Sequence, residues 1–131
     1  FSQAFVNIGL IPDTGGTYWL PKLLGRQQAN YLALTGNKLS AKEAKDLGLI
    51  ADVFDDDNFT VNSMAILTQI SNLPTKAISL TKKAFNESYE NSLSEQLDVE
   101  GILQQEAAET EDFREGVTAF LEKRKPNYKG K

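Results

Sequence analysis

The stretch Ser92–Glu109, SLSEQLDVEGILQQEAAE, sets the character of this chain. Ser92 and Glu95 form a capping-box pair. The hydroxyl can take a helix-start N–H, and the carboxylate three residues on can reach back to the cap. A helix is predicted to open here. Its acids, Glu95, Asp98, Glu100, Glu106 and Glu109, read as a solvated face rather than metal ligands. The sequence has no histidine to complete a carboxylate–histidine site.

Helical patterning extends in both directions. Upstream, FTVNSMAILTQISNL carries Val61, Met64, Ala65, Leu67 and Ile70 at helical spacing, and Pro74–Thr75 separates it from KAISLTKKAFNESYE. Downstream, Thr110 and Asp112 open FREGVTAFLEKR, which ends before Pro126. Ser40 with Glu43 is a second capping box, opening a short helix that Gly48 stops. RQQANYLALTG reads as a helix ended by Gly36. In TYWLPKLLG, Pro21 predicts a kink or two short helical pieces, with Gly25 a plausible stop. LIADVF reads as one brief strand, and FSQAFV as a strand end or an irregular turn. The class is therefore mostly α, with one or two short strands.

Totals narrow the function. The chain has 131 residues, 40% apolar and 24% charged, as in a soluble globular protein. Net charge is −4, with no basic stripe of the kind that binds nucleic acid. No apolar run approaches the ~20 residues of a membrane span, and no signal peptide is evident. Absence of cysteine excludes disulfides, thiol nucleophiles and cysteine metal sites; absence of histidine removes the commonest general base. Proton transfer must come from Asp, Glu, Lys or Tyr. The basic end KRKPNYKGK reads as a solvated terminus or a site for an anionic ligand.

The sharpest candidate for chemistry is Asp13, in LIPDTGGT (Leu10–Thr17). One reading makes it an N-cap, accepting from the amide of Gly15 or Gly16. A second notes the D-T-G triplet of aspartic proteases, but that chemistry needs two aspartates on an all-β fold. A third makes it a lone base. Phe5, Val6, Ile8, Leu10, Ile11 and Trp19 surround it in sequence, and desolvation by such neighbours would raise its pKa towards neutrality.

Two quoted segments carry a family resemblance. GLIPDTGGTYWLPKLLGRQQANYLALTGNKLSAKEAKDLGLI and FREGVTAFLEKRKPNYKGK together resemble the crotonase superfamily, the enoyl-CoA hydratases and isomerases. Their patterns are I-P-[GD]-x-G-G-T with S-A-x-E-A-x-x-x-G-L, and R-E-G-x-x-A-F-x-x-K-R-x-P at the end. The resemblance implies the carboxyl-terminal half of an α/β crotonase (ClpP/crotonase-like) fold. Residues 1–54 would be the end of the ββα core with the catalytic Asp segment, and residues 55–131 the helical trimerisation region. Within the superfamily the chain looks most like the phenylacetate-degradation isomerases of the epoxyphenylacetyl-CoA type. These carry aspartate where ordinary hydratases carry glycine, and Phe5 stands where hydratases place a catalytic glutamate. The resemblance therefore implies Asp13 as a single base, with isomerisation favoured over hydration. It implies CoA contacts from Phe120 and Lys123, and an acyl pocket that includes Phe5 and Trp19. The implied partner is an acyl-CoA thioester, with coenzyme A as part of the substrate and no separate cofactor or metal. The assembly would be a cytoplasmic homotrimer or a hexamer of two trimers. A hydratase of fatty-acid β-oxidation and a non-catalytic helical oligomerisation piece are the alternatives.

Overall fold

The computed structural model describes residues 1–131, which divide into two compact units, Phe1–Asp57 and Asn58–Lys131. The first holds helices α1 (Gly16–Thr35) and α2 (Ala41–Asp46), preceded by a 3-10 helix over Ala4–Ile8. The second holds α3 (Phe59–Ser71), α4 (Thr75–Glu87), α5 (Leu93–Ala108) and α6 (Glu111–Leu121). No helix is long and apolar enough to cross a membrane.

In the first unit, Leu32, Leu39 and Ala44 are buried, with Leu20, Leu24, Leu49 and Ile50 packed against them. The chain start is fastened to this cluster. The Phe1 backbone nitrogen donates to the Leu39 carbonyl and the Leu39 N–H returns a bond to the Phe1 carbonyl, each at 2.8 Å. The two helical pieces expected here form, divided at the predicted Gly25 stop and not at Pro21. Pro21 lies inside α1, while the helical backbone breaks four residues on at Gly25 (φ 74°, ψ 160°). Glycine alone reaches that region cheaply, so the break falls where the backbone permits it. Gly36 ends α1 at φ 67°, and a Cβ there would lie 2.9 Å from the Asn7 side chain.

The strand expected in LIADVF does not form. The N–H groups of Leu49 and Ile50 both turn back to the Ala44 carbonyl, at 2.8 and 3.4 Å, and the Val53 N–H goes to the Asp52 carboxylate. A strand needs a neighbour to take its backbone groups; these residues find theirs locally. The only β contact is an isolated antiparallel bridge between Ser2 and Lys38.

In the second unit, α4 and α5 pack antiparallel. Lys76 at the start of α4 pairs with Glu106 near the end of α5 at 2.6 Å. Gln96, at the start of α5, donates to the Ala84 carbonyl near the end of α4 at 3.1 Å. Leu80 and Leu103 are their buried residues. Both predicted capping boxes are formed, at Ser40–Glu43 and Ser92–Glu95. Thr110 joins α5 to α6 by donating to the Ala107 carbonyl while accepting from the Phe113 N–H. The apolar stripe of α3 is not a core face: Val61, Met64, Leu67 and Ile70 are all exposed. Helical spacing identifies an amphipathic surface, not the partner that covers it.

Candidate functional site

Asp13 sits on a tight reversal between an extended segment and α1. The Gly16 N–H donates to the Asp13 carbonyl at 2.8 Å, and the two residues between have positive φ: Thr14 at 52° and Gly15 at 81°. This is the geometry of a type I′ turn. Gly15 is required twice over, by its left-handed backbone and because a Cβ would meet the Trp19 indole at 3.0 Å. Gly16 is hemmed in by Gln3 and Pro12, whose side chains lie 3.0 and 3.3 Å from where its Cβ would be. Upstream, the Leu10 N–H bonds to the Phe5 carbonyl at 3.0 Å, which ties half-buried Phe5 to the approach to Asp13. Trp19 meets Tyr18 edge to face with ring centroids 4.9 Å apart, and the Lys22 ammonium lies 3.8 Å from the Tyr18 ring centre.

The Asp13 carboxylate does not cap α1. The cap residue is Gly15, without a side-chain cap bond, and the Asp13 side chain accepts from the Thr14 hydroxyl. The apolar enclosure expected around Asp13 is also absent within this chain. Asp13 is exposed, and Ile8 and Ile11 are 74% and 78% exposed. The reversal carries these side chains outward, where no other segment of the chain covers them.

Phe120 and Lys123 belong to the second unit, at the end of α6. Phe120 is 82% exposed and is no part of the core of this chain. Lys123 is exposed and stands at φ 54°. Its N–H bonds to the Phe120 carbonyl at 3.2 Å, and the Arg124 N–H reaches the Ala119 carbonyl at 3.0 Å. These are the two bonds of a Schellman helix ending, with lysine in the place usually held by glycine.

Two acids organise this end: Glu115, which the sequence did not single out, and Asp112, which it marked only as part of a helix start. Arg124 donates from Nη1 and Nη2 to the two oxygens of Glu115, at 2.6 and 2.8 Å, and from Nε to Glu122 at 2.6 Å. The Asn127 N–H adds a 2.8 Å bond to Glu115. The Arg124 fork, with that amide second, pulls the Glu115 carboxyl down to about 2, and the same pairing pushes Arg124 upward. Asp112, only 3% exposed, accepts from the N–H groups of Lys129 and Gly130 at 2.7 and 2.8 Å, and its own N–H donates to the Lys131 carbonyl. The basic terminus is thus not a free solvated tail. Its backbone is bound to Asp112, and Tyr128 packs over Gly116. The local signal for Asp112 was its place in the first turn of a helix, which reports a cap and not a contact 17 residues away.

The enoyl-CoA hydratase/isomerase family model matches residues 1–131. Over all 131 residues the chain is 44% identical to the 1,2-epoxyphenylacetyl-CoA isomerase of Escherichia coli K12, covering 50% of that protein. It is also 44% identical to a probable enoyl-CoA hydratase of Rhodobacter capsulatus, of which it covers 51%. Among solved structures, an enoyl-CoA hydratase from Bacillus anthracis superposes with a TM-score of 0.91 at 34% identity, over 98% of this chain and 50% of that one. The chain spans about half the length of the curated relatives it matches. With the family pattern matched from end to end and the helical architecture shared with these crotonase-type enzymes, the chain belongs to the enoyl-CoA hydratase/isomerase family.

Proposed function

We propose that this chain is the carboxyl-terminal half of an acyl-CoA isomerase of the epoxyphenylacetyl-CoA isomerase type, with Asp13 as its single general base. The observation that carries the reading is the state of Asp13. It is the one carboxylate on a reversal whose two glycines are sterically fixed, and it is not consumed as a helix cap. Similarity over all 131 residues to an isomerase supports the same reading.

The chemistry follows from having one base. Shifting a double bond requires removal of a proton from one carbon and its return to another. One carboxylate can do both if the thioester oxygen is stabilised as an enolate. Addition of water requires a group to activate water and a group to deliver a proton, a task suited to two carboxylates. Phe5, at the position eight residues before Asp13, supplies neither. The N–H donors for the enolate oxygen would lie in the segment preceding these residues. Phe120 and Lys123 would contact the CoA moiety, the lysine through its charge on a phosphate. Exposed apolar faces on α3 and α6 would be covered by the rest of the protein and by neighbouring copies in a trimer.

Hydration is the second reading, favoured by equal identity to the probable hydratase of Rhodobacter capsulatus. Asp13→Asn in the complete polypeptide separates the two. With epoxyphenylacetyl-CoA and a 3-enoyl-CoA as substrates, the isomerase reading expects kcat to fall by about 10²–10⁴ while the thermal midpoint holds. Unchanged isomerisation, or a 3-hydroxyacyl-CoA as the main product from a 2-enoyl-CoA, would overturn it.

A further inference from the structure

Lys123 is one of only two non-glycine residues with positive φ. A Schellman ending can accommodate this, but glycine is the residue that does so without steric cost. Something must hold the chain in that shape, and the surroundings of Lys123 identify it. The next residue, Arg124, is gripped from three directions: by both oxygens of Glu115 and by Glu122. Glu115 lies on α6 nine residues before Arg124, and it also fastens the Asn127 N–H. The chain is therefore pinned on both sides of the bend: by the α6 backbone before Lys123, and by Glu115 at Arg124 and Asn127 after it. Lys123 itself makes no ion pair. Two adjacent cations thus have different fates: one is tied down and the other is exposed one turn from exposed Phe120.

We propose that Glu115 is a positioning residue. By its two-point hold on Arg124 it fixes the left-handed bend at Lys123 and keeps that ammonium directed at a phosphate of an acyl-CoA. This deepens the proposed function and rests on its reading of Lys123 as a CoA contact. An exposed ion pair contributes little to stability unless its geometry is bidentate; here the bidentate form supplies direction. Since the Glu115 carboxyl is held at about 2, the grip persists through the range in which turnover would be measured.

The test uses the complete polypeptide and compares an acyl-CoA with the corresponding acyl-pantetheine, which lacks the phosphates. Lys123→Ala and Glu115→Gln should each raise KM for the acyl-CoA by about tenfold, the worth of one charge-assisted contact. Both should leave kcat, and KM for the acyl-pantetheine, within about twofold of the parent. The double variant should be no worse than Lys123→Ala alone, because Glu115 acts through Lys123. If Lys123→Ala leaves KM unchanged, the CoA-contact reading fails and the proposal falls with it. If Lys123→Ala raises KM and Glu115→Gln does not, or if the two effects multiply, the proposal fails while the CoA reading stands. Should Glu115→Gln not fold, Arg124→Lys keeps the charge and loses the fork, and the same comparisons apply. Loss of turnover with Asp13→Asn is read separately through kcat.

Discussion

Asp112→Asn tests the strongest structural claim made for the second unit. Asp112 is 3% exposed, and its two oxygens divide the work of holding the terminus: Oδ1 takes the Lys129 N–H at 2.7 Å and Oδ2 the Gly130 N–H at 2.8 Å. Asparagine fits the same space but offers one oxygen and one NH₂. Whichever way it turns, one backbone N–H keeps an acceptor and the other faces a donor. The retained bond loses its charge, a change of about 1 kcal/mol. The broken one leaves buried donors unsatisfied, at about 1–3 kcal/mol. The expected loss is about 2–4 kcal/mol of unfolding free energy. Urea denaturation reads the loss. Amide hydrogen exchange localises it, with Lys129 and Gly130 exchanging faster in the variant. A change below about 1 kcal/mol, with both amides still protected, would refute the reasoning.

Two further outcomes follow from the same region. Lys123→Gly should raise stability by up to about 1 kcal/mol, as relief of a left-handed non-glycine residue outweighs the greater unfolded-state freedom of glycine. The same change should raise KM for an acyl-CoA; destabilisation on thermal unfolding would show that the bend costs nothing. Acid should weaken the fold through Glu115. Its folded-state pKa lies below the ordinary glutamate value, so its contribution is complete above the unfolded pKa and is lost as pH falls towards about 2. Thermal midpoints measured down an acid series should decline more in the parent than in Glu115→Gln, and parallel curves would count against the pairing.

What was legible in the sequence was local. Ser40 with Glu43 and Ser92 with Glu95 are three residues apart, and both boxes form because a helix start brings that spacing within hydrogen-bond reach. Gly36 and Gly48 mark reversals for a similarly local reason: both adopt positive φ. Contacts between distant residues were not legible. Leu49–Phe54 has the composition of a strand, but strands exist by pairing, and here the amides turn back to Ala44 and Asp52. In TYWLPKLLG the stop read at Gly25 is where the helix breaks, because glycine allows that backbone cheaply, while Pro21 stays inside the first helical piece. Asp112 and Glu115 act on residues 17 and 9 positions away, so their spacing with those partners has no helical or strand period to reveal it. Asp13 stood out from its neighbours, but the cap proposed for its side chain gave way to a turn held by its carbonyl.

That turn and the end of α6 share a feature that links their geometry to chemistry. Eight residues have positive φ; six are glycine, and the other two are Thr14 and Lys123. A β-branched residue is among the worst suited to that region, and each such position costs on the order of 1–2 kcal/mol. Glycine at either site would remove the cost and also remove a polar group. Thr14 uses its hydroxyl to donate to one oxygen of Asp13. Lys123 is exposed and makes no ion pair, three residues after exposed Phe120. Departures from local preference that bring a polar group to a proposed base and a proposed phosphate contact fit the pattern in which strain collects at working sites. Thr14→Gly therefore offers a parallel to Lys123→Gly: in each, the backbone gains while the chemistry loses, a combination that a purely structural role for these residues would not produce.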